Sequence, residues 1–269
     1  MARILAITNQ KGGVGKTTTA VNLAAALAAA RTSNQVLLVD LDPQGNATMG
    51  CGIDKHGVRS TSYEVLLGEV DISEALQFSD SAQMHVLAAN ADLTGAEVAL
   101  LDAESGQTRL RTTLKGIATN FDYILIDCPP SLNMLTVNAL TAAEGVIIPV
   151  QCEYYALEGL SALLGTVDKV RRSTNPGLRI EGLLRTMFDP RNRLANEVSA
   201  QISEHFGTEV YATIIPRNVR LAEAPSYGQP IIVYDSASRG AESYRALARE
   251  LRQRVRRRGN STRLAAPAG

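Results

Sequence analysis

Lys11-Gly12-Gly13-Val14-Gly15-Lys16-Thr17-Thr18 decides the reading of this chain, because of what stands on either side of it. Before it, residues 3–8 form a short apolar run of strand type; after it, residues 17–30 are alanine-rich with helical spacing. A glycine loop between strand and helix lets successive backbone N–H groups turn toward one anion, and the helix N-terminus adds its dipole. In that setting Lys16 reaches the β- and γ-phosphates of a nucleotide, and the Thr17 hydroxyl ligates Mg²⁺. The common motif has glycine six residues before the lysine. Here that position is Gln10, and an extra lysine, Lys11, opens the loop. A glycine-rich turn with an incidental lysine is the bland alternative; strand, helix and downstream carboxylates together outweigh it.

Two further apolar runs end in carboxylates. Val36-Leu37-Leu38-Val39-Asp40 leads into Leu41-Asp42-Pro43-Gln44-Gly45-Asn46, and Tyr123-Ile124-Leu125-Ile126-Asp127 leads into Cys128-Pro129-Pro130. Ligands of open α/β sheets bind at the carboxyl ends of strands, so the three strand ends can converge on one site. Burying an unpaired carboxylate is expensive, and Mg²⁺ with an attacking water gives Asp40 and Asp127 a reason to be there. Asp42 can equally be a helix cap.

Outward from these segments, short apolar runs alternate with helical patterns. Residues 3–8, 36–40, 123–127, 146–150, 179–187 and 210–215 read as strands, and 17–30, 132–143, 157–172, 195–206 and 241–257 as helices. Continuous apolarity fits strands covered on both faces, and the βαβ rhythm predicts a doubly wound, mostly parallel sheet flanked by helices. Residues 51–120 read as small helices with a strand near His85–Leu87, and neither an internal repeat nor a linker is visible. The expectation is one domain over residues 1–258 and a disordered tail over 259–269.

Composition is that of a soluble globular chain, 45% hydrophobic and 20% charged over 269 residues, enough for one large α/β domain. Cys51, Cys128 and Cys152 lie far apart without a CxxC pair, which argues against zinc, iron–sulfur and disulfide frameworks and for a reducing cytoplasm. No secretory or membrane-spanning stretch is visible. The net charge of zero hides an asymmetry: residues 1–150 carry 9 basic and 15 acidic side chains, net −6, and residues 151–269 carry 18 and 12, net +6. That balance points to a polyanion-facing surface in the second half.

With these motifs in place, the chain closely resembles the ParA/MinD group of P-loop ATPases, and within it the small chromosomal ParA type often called Soj, over about residues 2–255. Lys11 to Thr18 looks like the deviant Walker A motif with Lys11 as signature lysine, Asp40 to Thr48 like Walker A′, and Ile124 to Pro130 like Walker B. Ile214-Ile215-Pro216-Arg217-Asn218-Val219-Arg220, with the following Ala222 to Ser226, resembles the segment near the adenine, which brings in Pro216 and Asn218. The resemblance implies a P-loop NTPase fold, ATP with Mg²⁺, and an ATP-dependent homodimer. The loop Lys11, Gly12, Gly13, Val14, Gly15, Lys16, Thr17 and Thr18 would bind the nucleotide, with Lys11 reaching the partner's phosphates. Asp40 would position the attacking water, Thr17 would bind the metal directly, and Asp127 would bind it through a water. It further implies non-specific binding to double-stranded DNA on the nucleoid and hydrolysis that is weak alone and stimulated by a ParB-type centromere-binding protein.

Arg191, Arg193, Arg217 and Arg220, in loops or at helix starts, are the candidates for backbone phosphates, since arginine's planar fork suits them. Arg252, Arg254, Arg256, Arg257, Arg258 and Arg263 follow with no acid after Glu250; for this run DNA contact and a solvated helix end both stay open. Aromatic interleaving is missing, so binding is expected to duplex backbone. The C-terminal stretch lacks the bulky apolar face of a membrane-surface helix, so stable membrane association is not expected. Two rivals remain: a membrane-surface ATPase and a metabolic ATP-dependent enzyme. The second would want acid–base residues, and His56, His85 and His205 lie in no motif.

Overall fold

The apolar runs come together in one seven-stranded sheet, in a computed structural model that describes residues 2–264. Its strands are β1 (Arg3–Ile7), β2 (Val36–Asp40), β3 (Leu76–Ser79), β4 (Met84–Leu87), β5 (Tyr123–Asp127), β6 (Gly145–Gln151) and β7 (Arg179–Thr186). They lie in the order β3-β4-β2-β5-β1-β6-β7. All neighbours pair in parallel except β3, an edge strand antiparallel to β4. The sequence reading missed β3.

Helices fill both faces. They are α1 (Lys16–Ala29), α2 (Asn46–Gly50), α3 (Ser62–Leu67), α4 (Ile72–Ala75), α5 (Leu93–Asp102) and α6 (Arg109–Ile117), then α7 (Met134–Ala142), α8 (Ala156–Ser173), α9 (Arg193–Phe206), α10 (Val219–Glu223), α11 (Ile231–Tyr234) and α12 (Arg239–Leu264). Period-two alternation splits the strands between two cores. Leu5, Ile7, Leu38 and Leu125 pack with α1 and α12, while Ala6, Leu37, Val39, Ile124 and Ile126 pack with α6, α7 and α8. Each fully buried leucine or isoleucine contributes about 1.5–3 kcal/mol. α1 lies between sheet and α12, buried from Thr19 to Ala28, and its run of alanines permits that close approach on both sides. The long α12 shows the ordinary amphipathic stripe, with Tyr244, Leu247, Ala248 and Leu251 buried at helical spacing.

Residues 210–215 correct the sequence reading. They are apolar, but among the described residues the segment makes one isolated bridge, Val210 to Leu183, followed by a second just past it, Pro216 to Phe188. The cause is α12. Glu250 accepts hydrogen bonds from the backbone N–H of Ala212 and Thr213, each at 2.9 Å, and from the Thr213 hydroxyl at 2.7 Å. Arg254 donates to the Val210 carbonyl at 2.7 Å and stacks over the Tyr211 ring at 4.2 Å. Side chains thus take donors and an acceptor that a sheet ladder would use. Tyr211 in turn requires Gly182 on β7, where a Cβ would stand 2.5 Å from the ring.

The tail expected over residues 259–269 falls partly on residues 265–269, which lie outside the described residues; α12 runs to Leu264.

Candidate nucleotide site

Strand register places the site. Ile7 of β1 and Asp40 of β2 both pair with Asp127 of β5, so three neighbouring strands end at one level. The chain leaves β1 at that level through residues 8–15 and enters α1. Gly13 and Gly15 hold φ of +73° and +87°, which a side chain rarely adopts, and open space surrounds the position a Cβ would take at Gly12 and Gly13. No side chain caps α1, so its first N–H groups remain available to an anion. The Thr186 hydroxyl ties the loop to β7 by donating to Val14 O at 2.8 Å, and Asn9 pins it to β6 by donating to Pro149 O at 2.7 Å.

A cleft of about 460 Å³ opens over this loop. Gly12, Gly13, Gly15, Lys16, Thr17 and Thr18 form one end. Met187, Ile215, Pro216, Asn218, Leu221 and Tyr244 form the other, largely apolar end, and Asp42, Gln44 and Asn46 stand along its wall. The shape fits phosphates at one end and a flat ring at the other.

The two loop lysines have different surroundings. Lys16 is 7% exposed and donates from Nζ to Lys11 O at 2.9 Å. Burial pushes its pKa down, against the opposing pull of Asp127, Cys128 and Asp42. Lys11 does not line the cleft; its ammonium is half exposed and held by the Glu153 carboxylate.

The carboxylates separate by role. Asp40, expected to hold the attacking water, is fully buried and does not line the cleft. Its oxygens accept from Thr48 N at 2.9 Å, Thr48 Oγ1 at 2.8 Å and Asp42 N at 3.1 Å. Burial pushes its pKa up to about 6 against those hydrogen bonds. With its acceptors committed to the loop after β2, Asp40 holds that loop in place. Asp42 is the carboxylate that reaches the cleft, with Oδ1 accepting from Gln44 N at 3.0 Å and Oδ2 without a partner among the described residues. The signal was present in the Asp-Leu-Asp triplet, but which aspartate reaches the cleft depends on where the strand ends and how the loop after it turns.

Asp127 is also fully buried, behind Lys16 and Thr17. Its pKa is raised well above the ordinary carboxylate range by burial and then by Asp40, and Thr17 lies close enough to counter this. Even so, neither carboxylate oxygen completes a hydrogen bond among the described residues. An unpartnered buried carboxylate beside a threonine hydroxyl and a phosphate loop fits a hard divalent cation.

Thr186, Met187 and Tyr244 belong to the site without any sequence motif to mark them. Met187 carries φ +48° at the end of β7, a strained value for its residue type, at the cleft wall. The arginines expected to meet DNA are all at the surface, but three are paired. Arg191 forks onto Asp189 at 3.0 and 2.8 Å, Arg193 meets Glu197 at 2.9 Å, and Arg220 meets Glu223 at 2.9 Å. Arg217 is exposed and makes no ion pair among the described residues.

Fold and site define a P-loop nucleoside triphosphatase of the doubly wound type. Residues 2–180 match the family model described as an AAA domain. The chain is 53% identical to the chromosome partitioning protein ParA of Myxococcus xanthus, covering 94% of this chain and 89% of that protein. It is 53% identical to the sporulation initiation inhibitor protein Soj of Bacillus subtilis, over 93% of this chain and 98% of that one. A solved structure of cobyrinic acid a,c-diamide synthase from Mycobacterium smegmatis with bound ADP and magnesium superposes with a TM-score of 0.81 at 40% identity, covering 93% of each chain. The chain belongs to the ParA/Soj family of P-loop ATPases. Among the described residues no helix is long and apolar enough to cross a membrane.

Proposed function

We propose that this protein is an ATP-dependent partition switch: it closes into a sandwich dimer on ATP, binds duplex DNA without sequence preference, and leaves DNA when a ParB-type partner stimulates hydrolysis. The observation that carries this reading is the placement of the two lysines. Lys16 is buried within its own loop, whereas Lys11 is turned out of its own cleft and held at the surface by Glu153. A cation so placed serves a facing site, where it stabilises charge developing on a partner's phosphates as an arginine finger does. The names of the relatives, chromosome partitioning ParA and Soj, support the biological assignment.

Within one protomer the glycine N–H groups and Lys16 hold the phosphates, and the apolar end of the cleft with Pro216 and Asn218 receives the adenine. Asp42, with one free oxygen at the cleft wall, orients the attacking water and takes its proton. Asp40 positions Asp42 through the loop they share. Thr17 and Asp127 would hold Mg²⁺, which when bound neutralises charge on the phosphates.

Co-sedimentation with duplex DNA in ATP, ADP and no nucleotide tests the reading, with anionic liposomes in parallel. DNA binding in ATP alone is expected; equal binding in all three states, or liposome binding in its place, would overturn it. The likeness to the diamide synthase structure favours a second reading, ATP-driven amide synthesis. That enzyme would release phosphate in proportion to an added carboxylic acid acceptor and amide nitrogen source, and would not respond to DNA.

A further inference from the structure

The sheet has a second polar cleft, at the end opposite the nucleotide. It measures about 350 Å³ and opens beside the amino ends of β1 and β5, between the turn after α1 and the last described turns of α12. Arg31, Arg252 and Arg256 line it from those two elements, with Arg3 and Tyr123 also in its wall. Two carboxylates share it, Asp122, which accepts from Gln35 N at 2.9 Å, and Glu144, which accepts from Arg3; Arg3 also donates to Glu181 at 2.8 Å, so the cleft's arginines exceed its acids by two. Arg31, Arg252 and Arg256 make no ion pair and no side-chain hydrogen bond among the described residues. Their field is felt at Tyr123, where Arg252, Arg256 and Arg3 oppose the upward push of burial and of Asp122 on the phenol.

These three differ from Arg191, Arg193 and Arg220, whose charge is already matched by neighbouring carboxylates. A concave surface with unmatched guanidinium groups attracts phosphate, which the planar fork can bind in two-point fashion. Arg252 and Arg256 stand about 6 Å apart along α12, from the helical rise. The sequence stays basic beyond them through Arg257, Arg258 and Arg263, with no acid after Glu250. Basic sequence that continues past the cleft suits a repeating phosphate backbone better than one small anion. A lipid surface suits it less, because the apolar stripe of α12 through Tyr244, Leu247 and Leu251 is committed to the core.

We propose that this cleft is a second contact for the phosphate backbone of duplex DNA, with Arg31, Arg252 and Arg256 as its ligands, a placement that rests on the DNA-binding reading above. In a dimer closed over the nucleotide clefts, two such surfaces would face outward at the far ends.

The test is anisotropy titration of a labelled duplex with the full-length, ATP-bound protein across a salt series. Each lost phosphate contact lowers the slope of log affinity against log salt by about 1. The variant R31A/R252A/R256A is expected to weaken binding and flatten that slope, with ATP affinity unchanged. The variant R31K/R252K/R256K, which keeps the charge, is expected to restore the slope, and this separates charge from folding. An unchanged slope in the alanine variant, while R191A/R217A/R220A loses its slope, would overturn the inference and leave the DNA reading standing. A wild-type protein that binds no DNA in ATP would overturn both. Binding to phosphatidylglycerol vesicles that the alanine variant abolishes, with an unchanged DNA slope, would assign the cleft to lipid and also overturn it.

Discussion

Asp40 closes β2 and Asp42 stands two residues on, where the chain has left the strand; the first is a fully buried loop anchor and the second reaches the cleft wall. Replacing Asp42 by alanine should leave ATP affinity within a few-fold and cut turnover by about 10²–10⁴, the usual worth of a positioned base. Replacing Asp40 by alanine strands the Thr48 and Asp42 donors, so it should reduce both affinity and stability, the latter by about 1–3 kcal/mol. Calorimetry and steady-state phosphate release distinguish the two; equal behaviour of the variants would refute the division. Asp40 also titrates in a useful window. Its folded pKa of about 6 lies above the ordinary value of 3.8, so the folded state holds the proton more tightly. That contribution is complete below pH 4 and lost as pH rises through 6. Urea denaturation of the apo protein should therefore show wild type losing stability relative to Asp40→Asn as pH rises from 4 to 7. The glycine loop, Lys16 and Thr17 were legible because the motif spells out backbone chemistry. Asp42 was not, because a triplet of Asp-Leu-Asp does not say at which residue the strand gives way to the loop.

Segment 210–215 carries the lesson for elements. Its composition is that of a strand, and a local reading of apolar residues had no access to Glu250, almost forty residues on, which captures its N–H groups. β3 escaped for a related reason: at only four residues, on an edge, it exposes Phe78 and offers little periodicity. The central strands and the helices around them were readable, since their patterns are long and their burial two-sided. The clamp has a measurable consequence. Glu250→Ala removes three hydrogen bonds from the segment that leads into Pro216 and Asn218. ATP affinity should fall several-fold while affinity for pyrophosphate, which needs only the glycine loop, stays unchanged. Equal losses for both ligands, measured by calorimetry, would instead indicate general unfolding.

At the scale of the molecule, the nucleotide cleft and the basic cleft sit at opposite ends of one sheet, and Lys11 stands at the rim of the first. A lysine that works across an interface should matter little to a lone protomer. Lys11→Ala should keep nucleotide binding and lose ATP-dependent dimerisation, hydrolysis or both; light scattering that shows full activity in an ATP-bound wild-type monomer would remove the cross-interface role. The charge asymmetry of the two halves was visible in the sequence, but its resolution into paired and unpaired arginines needed the fold. The clamp of α12 on residues 210–213 also orders events during synthesis. The ties of the glycine loop to β6 and β7 are all present once Thr186 has been made, whereas the wall proposed to receive the base gains its last hydrogen bonds from Glu250 and Arg254. At ~5–20 residues per second, Glu250 emerges roughly 3–13 s after Thr186. For that interval the nascent chain carries an anchored anion cradle beside a wall that still lacks its clamp, so on the proposed reading full selection for the base is completed only as the last helix is made.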